Sequence, residues 1–178
     1  KICMKLIKNA SANKLRGGFY TPKPIATFIL EWGINGSSNY EILEPSCGNG
    51  IFLQQLKENN YKYKSVTAIE FDDIEAEKAN NIKLNNKTVI NTDFHLFCNK
   101  TTERFDLVVG NPPYIRYQYF QVEQQNEATK VFNRAKLKYS RLTNAWVSFV
   151  VGSSLLLKEK GKIGFVIPAE LLQVSYAH

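Results

Sequence analysis

The sequence predicts an α/β fold, a mostly parallel sheet with helices on both faces, in one domain spanning 1–178. Three observations predict it. Short β-rich runs alternate with helix-length segments, the pattern of strand–helix–strand units. A turn-forming loop, Pro45-Ser46-Cys47-Gly48-Asn49-Gly50, directly follows the first run. The unusual polar residues Glu44, Glu70, Asp93 and Asn111 all fall where a strand ends. In an open parallel sheet those ends face the crevice where ligands bind. One carboxylate at such a place is readily a helix cap or a solvated loop residue, but four polar ends in register mark one crevice.

Each element follows in order. The first 20 residues are a basic lead-in, with Lys1, Lys5, Lys8, Lys14 and Arg16 and no acid among the first sixteen. Thr21-Pro22-Lys23-Pro24 reads as an N-cap with proline at the first helical position, and Ile25, Phe28 and Ile29 follow at helical spacing. After a turn-rich break, Glu41 to Glu44 is a strand. The glycine loop then opens a second helix with Ile51, Leu53 and Leu56. Ser65 to Ile69 is the second strand, Asp72 to Asn85 a polar-faced helix with Ile74, Ala79 and Ile82, and Thr88-Val89-Ile90 the third strand, ending near Asp93. Phe105 to Val109 is the fourth strand. From 118 to 140 the pattern fades into a polar, aromatic-sprinkled stretch, read as a loop with a helical turn or two. Trp146 to Leu157 is an apolar helix ended by Gly161, and Ile163 to Ile167 is a fifth strand closed by Pro168.

A chain of 178 residues, 44% hydrophobic, supports one ordinary core. A formal net charge of +7 favours a polyanionic partner. A second acid-free stretch holds Lys130, Arg134, Lys136, Lys138 and Arg141, although solvated surface explains both basic stretches equally well. Cys3, Cys47 and Cys98 are scattered, which offers no metal knuckle or redox dithiol and points to a reducing cytoplasm. No apolar run approaches the ~20 residues of a membrane span, and no secretory signal opens the chain.

Gly48 and Gly50 let the backbone approach a ligand closely. Glu70 lies about twenty residues further on, where an acid in a nucleotide-binding α/β fold accepts from ribose hydroxyls. A ribose-bearing cofactor is therefore expected, without need of a diphosphate, because the loop lacks the three-glycine fingerprint. After the fourth strand comes Asn111-Pro112-Pro113-Tyr114. Neither proline can donate a ladder hydrogen bond and each fixes its own φ, so the loop is stiff. Stiff carbonyls beside an aromatic face suit a flat base bearing an amino group.

Gly18-Phe19-Tyr20-Thr21-Pro22, Ile42 through Phe52, Ile69-Glu70-Phe71-Asp72, Thr92-Asp93-Phe94 and Asn111-Pro112-Pro113-Tyr114 occur in the order seen in gamma-class DNA adenine N6-methyltransferases. Over 16–172 the chain resembles the catalytic domain of Eco57I- and TaqI-like restriction-modification methylases. That resemblance implies a Rossmann-like fold that uses S-adenosylmethionine, with 21–109 as the cofactor-binding half and 110–178 as a target-base half cut short at its carboxyl end. It implies that Thr21 and the loop carrying Glu44, Ser46, Gly48 and Gly50 hold the methionine moiety. Glu70 would take the ribose and Asp93 the adenine amino group, while Phe71 with Phe149, or Phe94 in its place, would sandwich the ring. Asn111 and Pro112 would polarise the target amine and Tyr114 would stack on a flipped adenine of double-stranded DNA. His95 is expected at the surface or as a cap. No metal is implied, and a target-recognition domain or subunit is expected outside this chain. Asn-Pro-Pro-Tyr is shared with ribosomal RNA and protein-glutamine methyltransferases, and a non-catalytic cofactor- or DNA-binding module is a reading from another class.

Overall fold

The computed structural model describes residues 20–36, 38–116, 119–138 and 144–168. Most of the basic lead-in and Arg141 lie outside them. Within them the elements are α1 (Lys23–Ile34), β1 (Glu41–Glu44), α2 (Ile51–Glu58), β2 (Ser65–Glu70), α3 (Asp73–Asn80), β3 (Lys87–Asn91), α4 (Phe94–Lys100), β4 (Phe105–Gly110), α5 (Val122–Arg134), α6 (Ala145–Leu156) and β5 (Leu157–Phe165). The five strands form one parallel sheet in the order β3-β2-β1-β4-β5. The chain works outward from β1 to β3, then crosses back to lay β4 on the other side of β1. The seam between β1 and β4 is the switch point at which such sheets open a crevice at their carboxyl ends.

Strand alternation divides the core between two faces. Ile42, Val66, Ala68, Leu107 and Val109 point to one side, where α1 brings Ala26, Ile29, Leu30 and Ile34 and α2 brings Phe52, Leu53 and Leu56. Leu43, Ile69 and Val108 point to the other, against Phe94 and Cys98 of α4, Val131 of α5, and Phe149 and Leu156 of α6, and Phe105, ahead of the break in the β4–β5 register, joins that second cluster. Each fully buried side chain of this size contributes roughly 1.5–3 kcal/mol.

Several elements differ from expectation. Pro22, not Thr21, is the N-cap of α1, with no side-chain cap bond; a proline has no donor to lose there. The helix α3 stops at Asn80 rather than Asn85. The Lys87 ammonium closes it by donating to the carbonyls of Ala79, Asn80 and Ile82 at 3.0, 2.7 and 2.7 Å. Two helices are added. The first, α4, is capped by Asp93, whose Oδ1 accepts from the Leu96 N–H at 2.9 Å. The second, α5, runs 13 residues through the stretch expected to be mostly loop, and buries only Ala128, Val131 and Phe132. The spacing of those three is helical, but the stripe is too narrow to announce itself among ten other residues. Finally, β5 starts at Leu157, and its pairing with β4 jumps from Phe105↔Leu157 to Leu107↔Lys162. Lys160, at φ 64°, and Gly161 form the irregularity. A Cβ on Gly161 would sit 3.0 Å from the Lys158 carbonyl and 3.1 Å from that of Phe105.

The amino end of the sheet is neutralised. Lys158 pairs with Glu41 and, at 2.8 Å, with Asp106, while Lys64 pairs with Glu41 at 3.0 Å. Among the described residues no helix is long and apolar enough to cross a membrane.

Candidate functional site

The loop after β1 is built backbone first. The Cys47 N–H donates to the Ile69 carbonyl at 2.9 Å and the Gly50 N–H to the Cys47 carbonyl at 2.8 Å. Gly48 and Gly50 sit at φ 52° and 85°, in the left-handed region that a side chain disfavours. At Gly50 a Cβ would also come within 2.6 Å of Ile82, so this glycine lets α2 start against α3. The Gly48 N–H donates to Glu70 Oε2 at 2.8 Å, and the Asp72 N–H donates to Glu70 Oε1 at 2.8 Å. The acid that ends β2 thereby braces the loop that follows β1.

Glu44 is buried beside it, 1% exposed, with Oε2 lacking a hydrogen-bond partner among the described residues. Burial, and then the charge of Glu70, push the Glu44 carboxyl well above its usual range. Burial likewise raises Glu70, against its bonds from the Asp72 and Gly48 N–H groups. Burial also pushes up the Cys47 thiol, which leaves it a small hydrophobe. Two crowded acids, with no basic side chain between them among the described residues, form a site that gains by receiving a cation.

Asp93 differs. Burial raises its carboxyl, yet His95, then the Leu96 N–H and the Gln124 amide, together hold it below its usual value. Gln124 Nε2 donates to Asp93 Oδ2 at 3.1 Å. His95 is fully buried rather than at the surface, because α4 turns it inward between the rings of Phe149 at 5.0 Å and Phe94 at 5.6 Å. Its Nε2 lies 2.7 Å from Ser148 Oγ, and its Nδ1 lies 3.5 Å from Asp93 Oδ1. Asp, His and Ser in line suggest a hydrolytic triad, but Ser148 is 1% exposed and its hydroxyl donates to the Ala145 carbonyl at 2.7 Å. No substrate reaches that oxygen, and the trio is structural.

The loop after β4 completes the crevice. The Ser46 hydroxyl donates to the Asn111 carbonyl at 3.4 Å, tying the first loop to the fourth. The Tyr114 hydroxyl donates to the Val166 carbonyl at 2.7 Å and also contacts Asn111 Oδ1. Burial raises its pKa to about 12. The hydroxyl is thus pinned between the residue that follows β5 and the asparagine.

These loops enclose a cavity of about 730 Å³, within the usual range for a cofactor site. Of the residues expected from sequence, Thr21, Glu44, Ser46, Gly48, Glu70, Phe71, Asp93, Phe94, Phe149 and Asn111 line it, whereas Gly50, Pro112 and Tyr114 do not. Phe94 and Phe149 stack on each other, centroids 4.9 Å apart and planes 19° apart, while Phe71 stands half-exposed. Tyr119, Phe120 and Gln124 also line the cavity. Sequence reasoning missed all three, since they lie in or beside the unrecognised α5; the one usable signal was Gln121 followed three positions later by Gln124, the spacing of a helix-capping pair. Among the described residues no cluster of His, Cys, Asp and Glu is arranged to hold a metal.

A five-stranded parallel sheet with this crevice defines a class I S-adenosylmethionine-dependent methyltransferase fold. The structure superposes on a Listeria monocytogenes protein assigned to that class with TM-score 0.67, at 18% identity over 87% of this chain and 47% of that one. It superposes on the methyltransferase subunit of a type I restriction-modification system from Streptococcus thermophilus with TM-score 0.68, at 20% identity over 86% and 35%. The model of the Eco57I restriction-modification methylase family matches residues 6–178, and the chain belongs to that family. Its relatives include the type II methyltransferase M.HincII of Haemophilus influenzae, 31% identical over 85% of this chain and 28% of the relative. They also include a tRNA1(Val) (adenine(37)-N6)-methyltransferase of the same species, 28% identical over 72% and 53%. The chain thus spans less than a third of that type II relative's length. S-adenosylmethionine is the cofactor, and the chemistry of the site fits it: Glu44 and Glu70 suit a ligand bearing a sulfonium and an ammonium.

Proposed function

We propose that this chain is the catalytic portion of a DNA methyltransferase that methylates the exocyclic N6 of adenine within a restriction-modification system. One observation carries the reading. The stiff Asn111–Tyr114 loop is tied, through Ser46 and Asn111, to a crevice floored by the two buried acids Glu44 and Glu70.

Glu44 and the backbone of the Ser46–Gly48 loop would hold the methionine end, next to Thr21. Glu70 keeps lone pairs beyond those facing Gly48 and Asp72, and these would take the ribose hydroxyls. Asp93 would accept from the adenine amino group, with Phe71 over one face of the ring and the Phe94–Phe149 stack bounding the other. The bound cofactor supplies an electrophilic methyl group. The chain's own work is at the acceptor nitrogen, whose lone pair is delocalised into the base. The Asn111 side-chain carbonyl and the Pro112 backbone carbonyl would accept its two hydrogens and favour a localised lone pair. Dipoles already aimed at the nitrogen stabilise the positive charge that grows there without reorganising. The Tyr114 tether keeps Asn111 Oδ1 pointing one way, and its ring would stack on a base flipped out of the duplex. A target-recognition domain or subunit beyond these residues would choose the sequence.

The tRNA methyltransferase relative favours a second reading, in which the same amino chemistry acts on RNA. Transfer of tritium from labelled cofactor to duplex DNA, tRNA and protein, followed by nucleoside analysis, separates them. Label in N6-methyladenine of DNA is expected; label confined to tRNA or protein rejects the DNA assignment.

A further inference from the structure

The Asp93 carboxylate is gripped at both oxygens. Oδ1 accepts from the Leu96 N–H at the start of α4. Oδ2 accepts from Gln124 Nε2 on α5, a helix that begins a few residues after the Asn111–Tyr114 loop. The orientation of the Gln124 amide is not arbitrary. Its Oε1 accepts from the Gln121 N–H at 3.1 Å, so only the NH₂ end is free to face the acid; reversed, the amide would set an oxygen against a carboxylate and strand two donors. Gln124 lines the same cavity as Asp93.

We propose that Gln124 is a positioning residue for cofactor recognition: through its fixed amide it holds the Asp93 carboxylate in the plane needed to accept the adenine 6-amino group. This rests on the reading of Asp93 given above. It has a further consequence, because the amide links the adenine pocket to the helix that continues the target-base loop. Loss of the amide would loosen recognition of the cofactor's base without touching the methionine end.

The substitutions can be chosen so that folding does not obscure the result. Gln124→Glu keeps an acceptor for the Gln121 N–H and places an acid in the first turn of a helix, where it is favoured. It also turns a donor toward Asp93 into a like charge. Asp93→Ser keeps a helix-capping hydroxyl but removes the carboxylate. The readout is the ratio of affinities, by calorimetry on the intact protein, for S-adenosylhomocysteine and for its analogue with hydrogen in place of the 6-amino group. In the parent protein the amino group is expected to improve binding about tenfold or more. Both Asp93→Ser and Gln124→Glu are expected to bring the ratio near one, with unliganded Gln124→Glu still unfolding in a single cooperative transition, at a melting temperature lowered by the like charge set against Asp93. A purely structural Gln124 would weaken or spare both ligands equally. If Asp93→Ser collapses the ratio and Gln124→Glu leaves it intact, the role of Gln124 is overturned alone. If Asp93→Ser leaves it intact, the adenine assignment of Asp93 falls and the inference falls with it.

Discussion

Glu70 serves two partners with one carboxylate, since both its oxygens already accept from the backbone N–H groups of Gly48 and Asp72. Removing it unbraces the loop as well as deleting an acceptor. Glu70→Ala is expected to weaken S-adenosylmethionine binding by roughly 1.5–3 kcal/mol, measured by calorimetry; unchanged affinity would reject the ribose role. Asn111→Ala should behave oppositely, losing about 10²-fold or more in methyl transfer with cofactor affinity retained, and single-turnover kinetics would show the split. Glu44 makes a prediction without any substrate. Its folded pKa lies above the ordinary 4.5, so the folded state binds its proton more tightly than the unfolded one. That contribution is present below the ordinary value and is lost as pH rises through the raised one. Glu44→Gln should therefore raise the melting temperature of the unliganded protein at pH 8 while weakening cofactor binding, and the stability gain should vanish near pH 4. The positions of Glu44, Glu70, Asp93 and Asn111 in the crevice were legible in the sequence because Glu44 and Glu70 end their strands and Asn111 and Asp93 follow theirs by one and two residues, and strand-forming runs show where strands close. His95 was not legible, since adjacency to Asp93 does not say which way a helix will turn the next side chain.

At the level of elements, Gly50 joins loop, helix and neighbour at one position. Gly50→Ala would require a left-handed φ and a 2.6 Å approach to Ile82. A loss of about 1–3 kcal/mol is expected from strain of this kind, read as a lower denaturant midpoint at unchanged slope. The strands and the glycine loop were readable because their signals are local: a run of branched residues, then glycine and proline. The helices α4 and α5 were not. The first is only seven residues long, below the length at which a period can be seen. The second buries three side chains, and its stability comes from what it meets, α4 and α6, rather than from its own composition. The start of β5 was hidden for a related reason, because Lys160 and Gly161 look like a turn and are instead an irregularity inside a paired strand.

For the molecule as a whole, the two ends of the sheet carry opposite electrostatics. The amino end is closed by Lys158 and Lys64 against Glu41 and Asp106, while among the described residues no basic side chain pairs with Glu44 or Glu70 at the carboxyl end. Ligand binding should relieve that stress. S-adenosylmethionine at a hundred times its Kd should stabilise the protein by about 2.7 kcal/mol, or roughly 5–10 °C for a chain of this size. Scanning calorimetry checks this, and Glu70→Ala should shrink the shift at the same ligand concentration. Fold class followed from the order of the elements and the cofactor from the family resemblance that the motifs carry, whereas the tilt of α5 against Asp93 depends on contacts between segments far apart in the chain, which no local pattern encodes.

The tie between Ser46 and Asn111 spans 65 positions, and its consequence is one of timing. As the polypeptide leaves the ribosome, β1, β2 and β3 can pair in sequence while the far side of β1 stays bare until β4 arrives. The Asn111 side of the crevice therefore waits on β4, and so do Phe120, Gln124 and Phe149, which line the same cavity from still later in the chain.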